Sequence, residues 1–404
     1  MKRIAIVFAL LAGWAATPAV AQYTLASFNG ANGASPTAGV ILSGGTLYGT
    51  TAAGGDSNND GVVFSVPAAG GTPTVLTAFT GDFGNGSEPY AGVILSGGTL
   101  YGTTEAGGGT HGAGEVFSEP IGGGAPTVLT SFNNNTNGPE TPLGGVILSG
   151  SSLYGTTVSG GANGYGTVFS EPIGGGAPTV LASFNDTNGA GNPQAGLILS
   201  GSTLYGTTFD DEVSNGGAVF SVPVGGGTPT VLATFNGTDG FDPQAGLILS
   251  GGTLYGTTWG GGANNEGEVF SVPVTGGTPT VLASFNGANM SHPQAGLTLF
   301  GNTLYGTTSD QAGGINFSST GDGEVFSVPI TGGTPTVLAS FNGANGDEPY
   351  GGLILSGNTL YGTTLGGGAN GDGVVFSLTV PEPTTASLLG LASMGLLARR
   401  RRCG

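Results

Sequence analysis

The first residues that could do chemistry lie in one acidic loop. Residues 56–61, Asp-Ser-Asn-Asn-Asp-Gly, match the start of a D-x-N-x-D-G calcium loop, in which Asp56, Asn58 and Asp60 would be ligands. The twelfth position is Pro67 rather than the bidentate Glu of an EF-hand, so this ligand set is incomplete. A polar turn explains the residues equally simply, and the sequence favours it. Ca²⁺ is therefore the one candidate cofactor.

Two other positions could contact or transform a ligand. Asp210, Asp211 and Glu212 form a carboxylate run that could hold a metal or supply an acid/base pair, although a solvated loop is the favoured interpretation. Trp259 could stack on a sugar ring, and packing against a neighbouring loop is an equal alternative. The two histidines, His111 and His292, fall in different parts of the chain, so the sequence gives no His-based centre.

The charge distribution excludes one class of partner. All six basic residues lie at the two ends, in Lys2 and Arg3 and in Arg399, Arg400, Arg401 and Arg402, so residues 4–398 contain no Lys or Arg. Phosphate binding depends on such cations, and nucleic acid is therefore not a partner. Carboxylates without basic partners should have raised pKa values through mutual repulsion. We expect a melting temperature that is no lower in mild acid than at neutral pH.

An internal repeat organises the chain. Leu-Tyr-Gly-Thr-Thr occurs seven times, with tyrosines at 48, 101, 154, 205, 255, 305 and 361. In the first copy four short apolar segments, at 40–42, 46–48, 62–64 and 75–79, are separated by Gly, Pro, Asn and Asp, as expected of strands. Several are apolar on consecutive residues, which indicates burial on both faces. The sequence predicts an all-β, seven-bladed β-propeller of four-stranded antiparallel blades.

The two ends of the repeat array complement each other. The last copy has no fourth strand, whereas residues 23–28 match a fourth strand and have no blade of their own. We therefore predict that the N-terminal strand completes the last blade and closes the ring. The glycine after each repeat tyrosine is expected to allow neighbouring backbone to approach. Gly-Ser and Gly-Asn between the first two strands predict type II′ hairpins.

The connections of such a meander divide into two kinds. Those between the second and third strands, and between blades, are long and variable, so their shared face is the candidate binding face. Glu115, Glu268 and Glu324 recur before a Val-Phe pair, which indicates a scaffold role for that position.

Both termini have the features of targeting signals. A basic start, the apolar run 4–14 and an A-x-A site at Ala19 and Ala21 predict a signal peptide over 1–21. The propeller would span 22–379. The tail 380–404 contains Pro381, Glu382 and Pro383, an apolar run at 384–398 and then the Arg cluster. That run is short for a permanent membrane helix, so transient membrane contact is expected.

Two resemblances follow from these residues. The tail resembles the PEP-CTERM sorting signal of Gram-negative bacteria, which implies export machinery and an exosortase-type protease as partners. The repeats, through Leu-Tyr-Gly-Thr-Thr, the strand Val-Phe and Leu-x-x-Phe, resemble the GloVer-type repeats of bacterial choice-of-anchor proteins. That resemblance implies an exported protein at the cell surface or outside the cell, and it implies no catalytic residues.

The sequence thus favours a non-catalytic function. The prediction is an exported cell-surface or matrix-associated propeller that binds a neutral glycan or a surface protein, or acts structurally. The alternative is a secreted glycoside hydrolase or lyase that uses loop carboxylates such as Asp210 and Asp211.

Overall fold

A computed structural model describes the fold. It describes residues 22–81, 84–108, 112–133, 137–185, 191–209, 216–287, 290–309 and 322–380. The regular structure in these ranges is β-strand. None of these residues belongs to a helix long and apolar enough to cross a membrane.

The strands follow the repeat closely. In chain order they are β1 (Gln22–Ser27), β2 (Ile41–Ser43), β3 (Thr46–Thr51), β4 (Val62–Pro67), β5 (Thr74–Ala78), β6 (Ile94–Ser96), β7 (Thr99–Thr104), β8 (Glu115–Pro120), β9 (Thr127–Ser131), β10 (Pro139–Glu140), β11 (Ile147–Ser149), β12 (Ser152–Thr157), β13 (Ser159–Gly160), β14 (Thr167–Pro172), β15 (Thr179–Ser183), β16 (Ile198–Ser200), β17 (Thr203–Thr208), β18 (Ala218–Pro223), β19 (Thr230–Thr234), β20 (Ile248–Ser250), β21 (Thr253–Thr258), β22 (Glu268–Pro273), β23 (Thr280–Ser284), β24 (Thr298–Phe300), β25 (Thr303–Thr308), β26 (Glu324–Pro329), β27 (Thr336–Ser340), β28 (Ile354–Ser356), β29 (Thr359–Thr364) and β30 (Val374–Thr379).

All of these strands except β10 and β13 form seven four-stranded antiparallel blades arranged in a ring, and β10 pairs with β13 in a separate two-stranded sheet. Blades 1 to 6 are the sheets β2–β5, β6–β9, β11-β12-β14-β15, β16–β19, β20–β23 and β24–β27. Blade 7 has the order β28-β29-β30-β1, so the first strand of the chain is the outer strand of the last blade. Gln22 pairs with Leu378 and Thr24 with Phe376. The predicted propeller and its closure are confirmed.

Short turns join the first to the second strand of every blade and the third to the fourth strand of blades 1 to 6, and together they form what we call the short-turn face. The φ angles of Gly201, Gly301 and Gly357 are between 57° and 60°, and the next residue is not in the left-handed region, as type II′ hairpins require. The Gly-Gly turns differ, since Gly44 and Gly45 both have positive φ, at 57° and 80°. That pattern is the type I′ signature.

Pairs of phenylalanines join each blade to the next. The Phe that ends the fourth strand meets the central Phe of the following blade's third strand edge to face, with ring centroids 4.8–5.1 Å apart. The seven pairs are Phe28–Phe64, Phe79–Phe117, Phe132–Phe169, Phe184–Phe220, Phe235–Phe270, Phe285–Phe326 and Phe341–Phe376. Each pair lies in an apolar cluster between two blades, so the core is a ring of seven clusters.

The glycine of Leu-Tyr-Gly-Thr-Thr makes room for these rings. A Cβ on Gly49 would lie 2.8 Å from the Cζ atom of Phe64, and one on Gly155 would lie 2.6 Å from that of Phe169. The obstructing group is therefore the phenylalanine of the same blade. The sequence-based expectation was that this glycine makes room for neighbouring backbone. That reason is wrong, because the glycine makes room for a phenylalanine side chain.

Two hydrogen bonds recur between consecutive blades. The first Thr of the Gly-Thr-Thr sequence donates through Oγ1 to a carbonyl before the next blade's first strand, as in Thr207 to Ala245 at 3.0 Å. Near the rim, a turn glycine donates its N–H to the preceding blade's fourth strand, as in Gly227 to Leu181 at 2.9 Å. Both bonds join separate sheets, and the Thr207–Ala245 bond is buried.

The junction between blades 6 and 7 departs from this pattern. Thr307 Oγ1 is buried and has no hydrogen-bond partner among the described residues. The hydrogen bond from a turn glycine to the preceding blade is also absent from the described part of this junction. In blade 7 the fourth strand is β1, so no turn follows β30 and no turn glycine can donate. Instead, Thr298 donates to the Leu353 carbonyl across the junction. This junction therefore lacks the two recurring hydrogen bonds, although it keeps the phenylalanine pair Phe341–Phe376.

The two threonines provide a matched pair of substitutions. Thr207→Val leaves the Ala245 carbonyl buried and unpaired, so we expect it to lower the free energy of unfolding by about 1–3 kcal/mol. Thr307→Val removes a hydroxyl that is already unpaired, so we expect a change within about 0.5 kcal/mol or a small gain. Denaturant titration of both variants measures this. Equal losses would contradict the assignment.

Five glutamates lie in the third strands, and all are buried. Glu115, Glu119, Glu171, Glu268 and Glu324 are between 0% and 5% exposed. Ser284 and Ser340 donate hydrogen bonds to Glu268 and Glu324, at 2.9 and 3.0 Å. The carboxylate oxygens of the other three have no hydrogen-bond partner in the described part of the chain. Without Lys or Arg in residues 4–398, none of the five has an Arg or Lys partner there.

Glu119 and Glu171 occupy a position that is apolar in every other blade. The equivalents are Val66, Val222, Val272, Val328 and Leu378, and each belongs to an apolar cluster between blades. Glu119 pairs in register with Leu100, and Glu171 pairs with Leu153. Both neighbours are fully buried, so the two carboxyl groups lie in the apolar layer.

Burial raises the pKa values of these carboxyl groups. The pKa is about 8 for Glu115, about 7 for Glu119 and about 8 for Glu171. For Glu268 and Glu324 burial raises the pKa and the serine hydrogen bonds lower it, with a net increase. The direction expected from the sequence holds, but its cause is removal from water rather than repulsion between carboxylates.

These values give stability a definite pH dependence. A raised folded-state pKa means that the folded protein binds more protons than the unfolded chain, so stability increases as pH falls from about 8 to about 4.5. We expect a melting temperature that is several degrees higher at pH 5 than at pH 9, measured by calorimetry. Replacing Glu119 and Glu171 with Val should stabilise the protein at pH 9 by a few kcal/mol and flatten this dependence.

Asp56→Asn, which alters an exposed carboxylate, is the matched control and should leave the pH dependence unchanged. A melting temperature that rises between pH 5 and pH 9 in the unsubstituted protein would contradict the burial argument.

Candidate functional site

The long connections come together opposite the short-turn face, and we call this surface the long-loop face. The connection that enters each blade pairs with the connection between its second and third strands. Ala34 bridges Ala53, Ser87 bridges Ala106, and Phe241 bridges Gly260. Two variable loops are thus fixed against each other at the entrance of a blade.

A strained residue recurs on this face. In all seven copies the residue before the loop proline has φ between 52° and 58° although it is not glycine. The set is Ser35, Glu88, Thr141, Asn192, Asp242, His292 and Glu348. A left-handed conformation is uncommon for such residues, and a following proline restricts them further. Surrounding structure must therefore hold each one in place.

Backbone hydrogen bonds provide that hold. The Asp242 N–H donates to the Gly216 carbonyl of the preceding blade at 3.0 Å, and the Asp242 carbonyl accepts from the Trp259 N–H at 3.0 Å. The same two bonds recur at every junction, for instance from Glu88 to Asp60 and from Glu105 to Glu88, at 3.0 and 3.1 Å. We call this repeated arrangement the bracket.

Each bracket brings three residues of variable type together through their backbones. They are the residue before the proline, the residue after Leu-Tyr-Gly-Thr-Thr and the residue before the glycine that precedes the third strand. The triplets include Asp372, Ser35 and Ala52; Asp60, Glu88 and Glu105; Tyr165, Asn192 and Phe209; Gly216, Asp242 and Trp259; and Glu266, His292 and Ser309. One backbone frame therefore presents seven different sets of side chains.

Two adjacent brackets form an aromatic ledge. Trp259 stacks on His292 with ring centroids 4.4 Å apart and planes 28° apart, and Phe241 lies 6.1 Å from Trp259. The His292 Nε2 atom is 3.8 Å from a Glu266 carboxylate oxygen. All four side chains are partly exposed. Trp259 thus packs against the neighbouring loop, and the ledge combines apolar ring surface with hydrogen-bonding groups.

The bracket between blades 1 and 2 is acidic. Burial, and next the charge and hydrogen bond of Glu88, raise the pKa of Glu105. Burial raises the pKa of the Tyr90 hydroxyl, and the nearby carboxylates of Glu88 and Glu105 raise it further. Asp60 contributes its carbonyl to the Glu88 N–H at 3.0 Å.

The calcium-like segment lies beside this bracket. The Asn58 N–H donates to Asp56 Oδ1 at 2.8 Å, and Asn59 Oδ1 accepts from the Gly54 N–H at 2.8 Å. These bonds are those of a self-closed polar turn. Within the described ranges, no three His, Cys, Asp or Glu side chains are placed to hold a metal ion. Calcium binding through Asp56, Asn58 and Asp60 stays a prediction.

Several predicted residues fall outside the described ranges. They are Asp210, Asp211 and Glu212, the signal residues Ala19 and Ala21, and the tail residues Pro381, Glu382, Pro383, Arg399, Arg400, Arg401 and Arg402. Of the candidate ligand-binding residues, Trp259 alone is placed. Sequence analysis missed the pre-proline residues, although a proline recurring after a variable residue in every repeat was a usable signal.

No curated protein matches the chain in sequence. Among solved structures, the phage phi92 endosialidase is 12% identical, with 91% of this chain and 70% of that chain covered and a TM-score of 0.48. A Mycobacterium tuberculosis puromycin-hydrolyzing peptidase is 12% identical, with 78% and 55% covered and a TM-score of 0.38.

Two family models match the chain. The PEP-CTERM protein-sorting motif matches residues 379–402, and it indicates export, surface sorting in Gram-negative bacteria and processing by exosortase-type machinery. The model of the Gloeobacter/Verrucomicrobia repeat matches residues 14–141 and 108–320, which is more than half of the chain. By its repeats, the chain belongs to the Gloeobacter/Verrucomicrobia repeat family.

Proposed function

We propose that the protein is a non-catalytic binding propeller that presents its long-loop face to a neutral glycan at the cell surface or in the surrounding matrix. The signal peptide over 1–21 and the tail over 380–404 serve its export and sorting. The observation that carries the proposal is the bracket, because it keeps the backbone constant while the residue types change from one junction to the next.

Side chains that vary on a constant backbone arrangement are more typical of a recognition surface than of a catalytic site. The hydrogen bonds that fix each bracket involve backbone atoms only, so the side chains are free to differ without loss of the fold. The strain at each pre-proline residue is the cost of presenting a side chain at a fixed place. Binding proteins commonly vary surface loops on a rigid scaffold in this manner.

The chemistry of the face favours a neutral sugar. Residues 4–398 have no Lys or Arg with which to bind phosphate or a polyanion. The ledge offers a ring surface at Trp259 beside the Glu266 carboxylate. Sugar rings present C–H groups to aromatic faces and hydroxyl groups to carboxylates. The Trp259 ring and the Glu266 carboxylate could therefore both contact one sugar.

Trp259 allows a direct test, since it is the single Trp of residues 22–380. We expect a neutral oligosaccharide, identified by screening a glycan array with and without Ca²⁺, to change its fluorescence on titration. Trp259→Ala should weaken binding at least about tenfold, which corresponds to about 1.4 kcal/mol.

Leu365→Ala is the matched control, because Leu365 occupies the same position in blade 7 and should leave affinity unchanged. If Trp259→Ala binds as tightly as the unsubstituted protein, the ledge is not the site. Hydrolysis of the bound glycan would instead support the enzyme alternative.

A further inference from the structure

Apart from the five buried glutamates, the acidic residues of the propeller belong by sequence to the connections of one face. The turns that make up the short-turn face, such as Ser43–Thr46 and Pro223–Thr230, contain no Asp, Glu, Lys, Arg or His in any blade. Within the blades, the acidic residues are the five buried glutamates. The other acidic residues between 22 and 380 belong by sequence to the long connections. One face is therefore acidic and the opposite face uncharged.

The C-terminal end of the described chain lies at the uncharged face, where the last strand, β30, ends at Thr379. The Val380 N–H then donates to the Asn358 carbonyl at 2.8 Å, and Asn358 lies in the turn between β28 and β29. The sorting tail thus leaves the propeller from the short-turn face.

The connection to the apolar part of the tail is short. Only Pro381, Glu382 and Pro383 separate Val380 from the apolar run that begins at Thr384. Four Cα–Cα steps span at most about 14 Å. The opposite face is farther away, because a six-residue strand alone extends for about 17 Å.

We propose that, while the tail is held in a membrane, the propeller lies with its short-turn face on the lipid surface and its long-loop face directed away. The short connection keeps the uncharged face close to the bilayer. Anionic lipid headgroups repel the acidic face and have no such effect on the uncharged one. The inference rests on the membrane contact proposed for the tail and is independent of the ligand.

Two single-cysteine variants of the full chain test this orientation. In a Cys403→Ser background, Thr72→Cys places a fluorophore on the short-turn face and Ser57→Cys places one on the long-loop face of the same blade. Both positions are exposed. The labelled chains are reconstituted into vesicles of phosphatidylcholine with a minor share of phosphatidylglycerol, with and without lipids that carry a nitroxide in the headgroup.

We expect several-fold stronger nitroxide quenching at Thr72→Cys than at Ser57→Cys. Flotation of the chain with the vesicles reports on the tail separately from orientation. Equal or reversed quenching in floated chains would overturn the proposal, and so would a chain that does not float. A further outcome is that the Thr72→Cys probe is shielded from water but is not quenched by the nitroxide, in particles of twice the expected mass. That result would show that a second copy of the chain covers the short-turn face, and it would also overturn the proposal.

Discussion

The fold depends on the contact of two phenylalanine rings between neighbouring blades. One ring ends the fourth strand of a blade, and the other lies on the glycine of Leu-Tyr-Gly-Thr-Thr in the next blade. Each ring is fully or almost fully buried, so a blade on its own would expose both of its apolar faces. Removing such a ring typically costs several kcal/mol, which explains why all seven copies keep the same few residues.

This constraint leaves the two faces of the propeller free to differ. The short turns need only small residues with the right backbone angles, whereas the long connections need the bracket and little else. The departures from the pattern are informative for the same reason. Glu119 and Glu171 stand in the apolar layer where five other blades have Val or Leu, and no described contact compensates for them. They make stability depend on pH without contributing to the long-loop face.

The architecture was predictable from the sequence because the residues that determine it recur at regular intervals. Repeated strands, the missing last strand and the matching segment at residues 23–28 predicted the ring and its closure. The site was less predictable, because its frame is made of backbone hydrogen bonds between segments that are distant in sequence, such as Gly216, Asp242 and Trp259. Trp259 was identified by its type, but its contact with His292 depends on how two blades are placed. The recurring proline marks the positions of the pre-proline residues, but the positive φ angles at those positions are seen only in the structure.

Closure by β1 has a consequence for the order of events during biogenesis. The strand β1 is needed by a strand that is made much later, since Gln22 to Ser27 pair with Val374 to Leu378. Contacts so distant along the chain form late and slowly. A nascent or partly translocated polypeptide therefore has an unsealed blade, and the sorting motif follows directly after the strand that seals it. The strand that seals the disc and the sorting motif are thus synthesised in immediate succession.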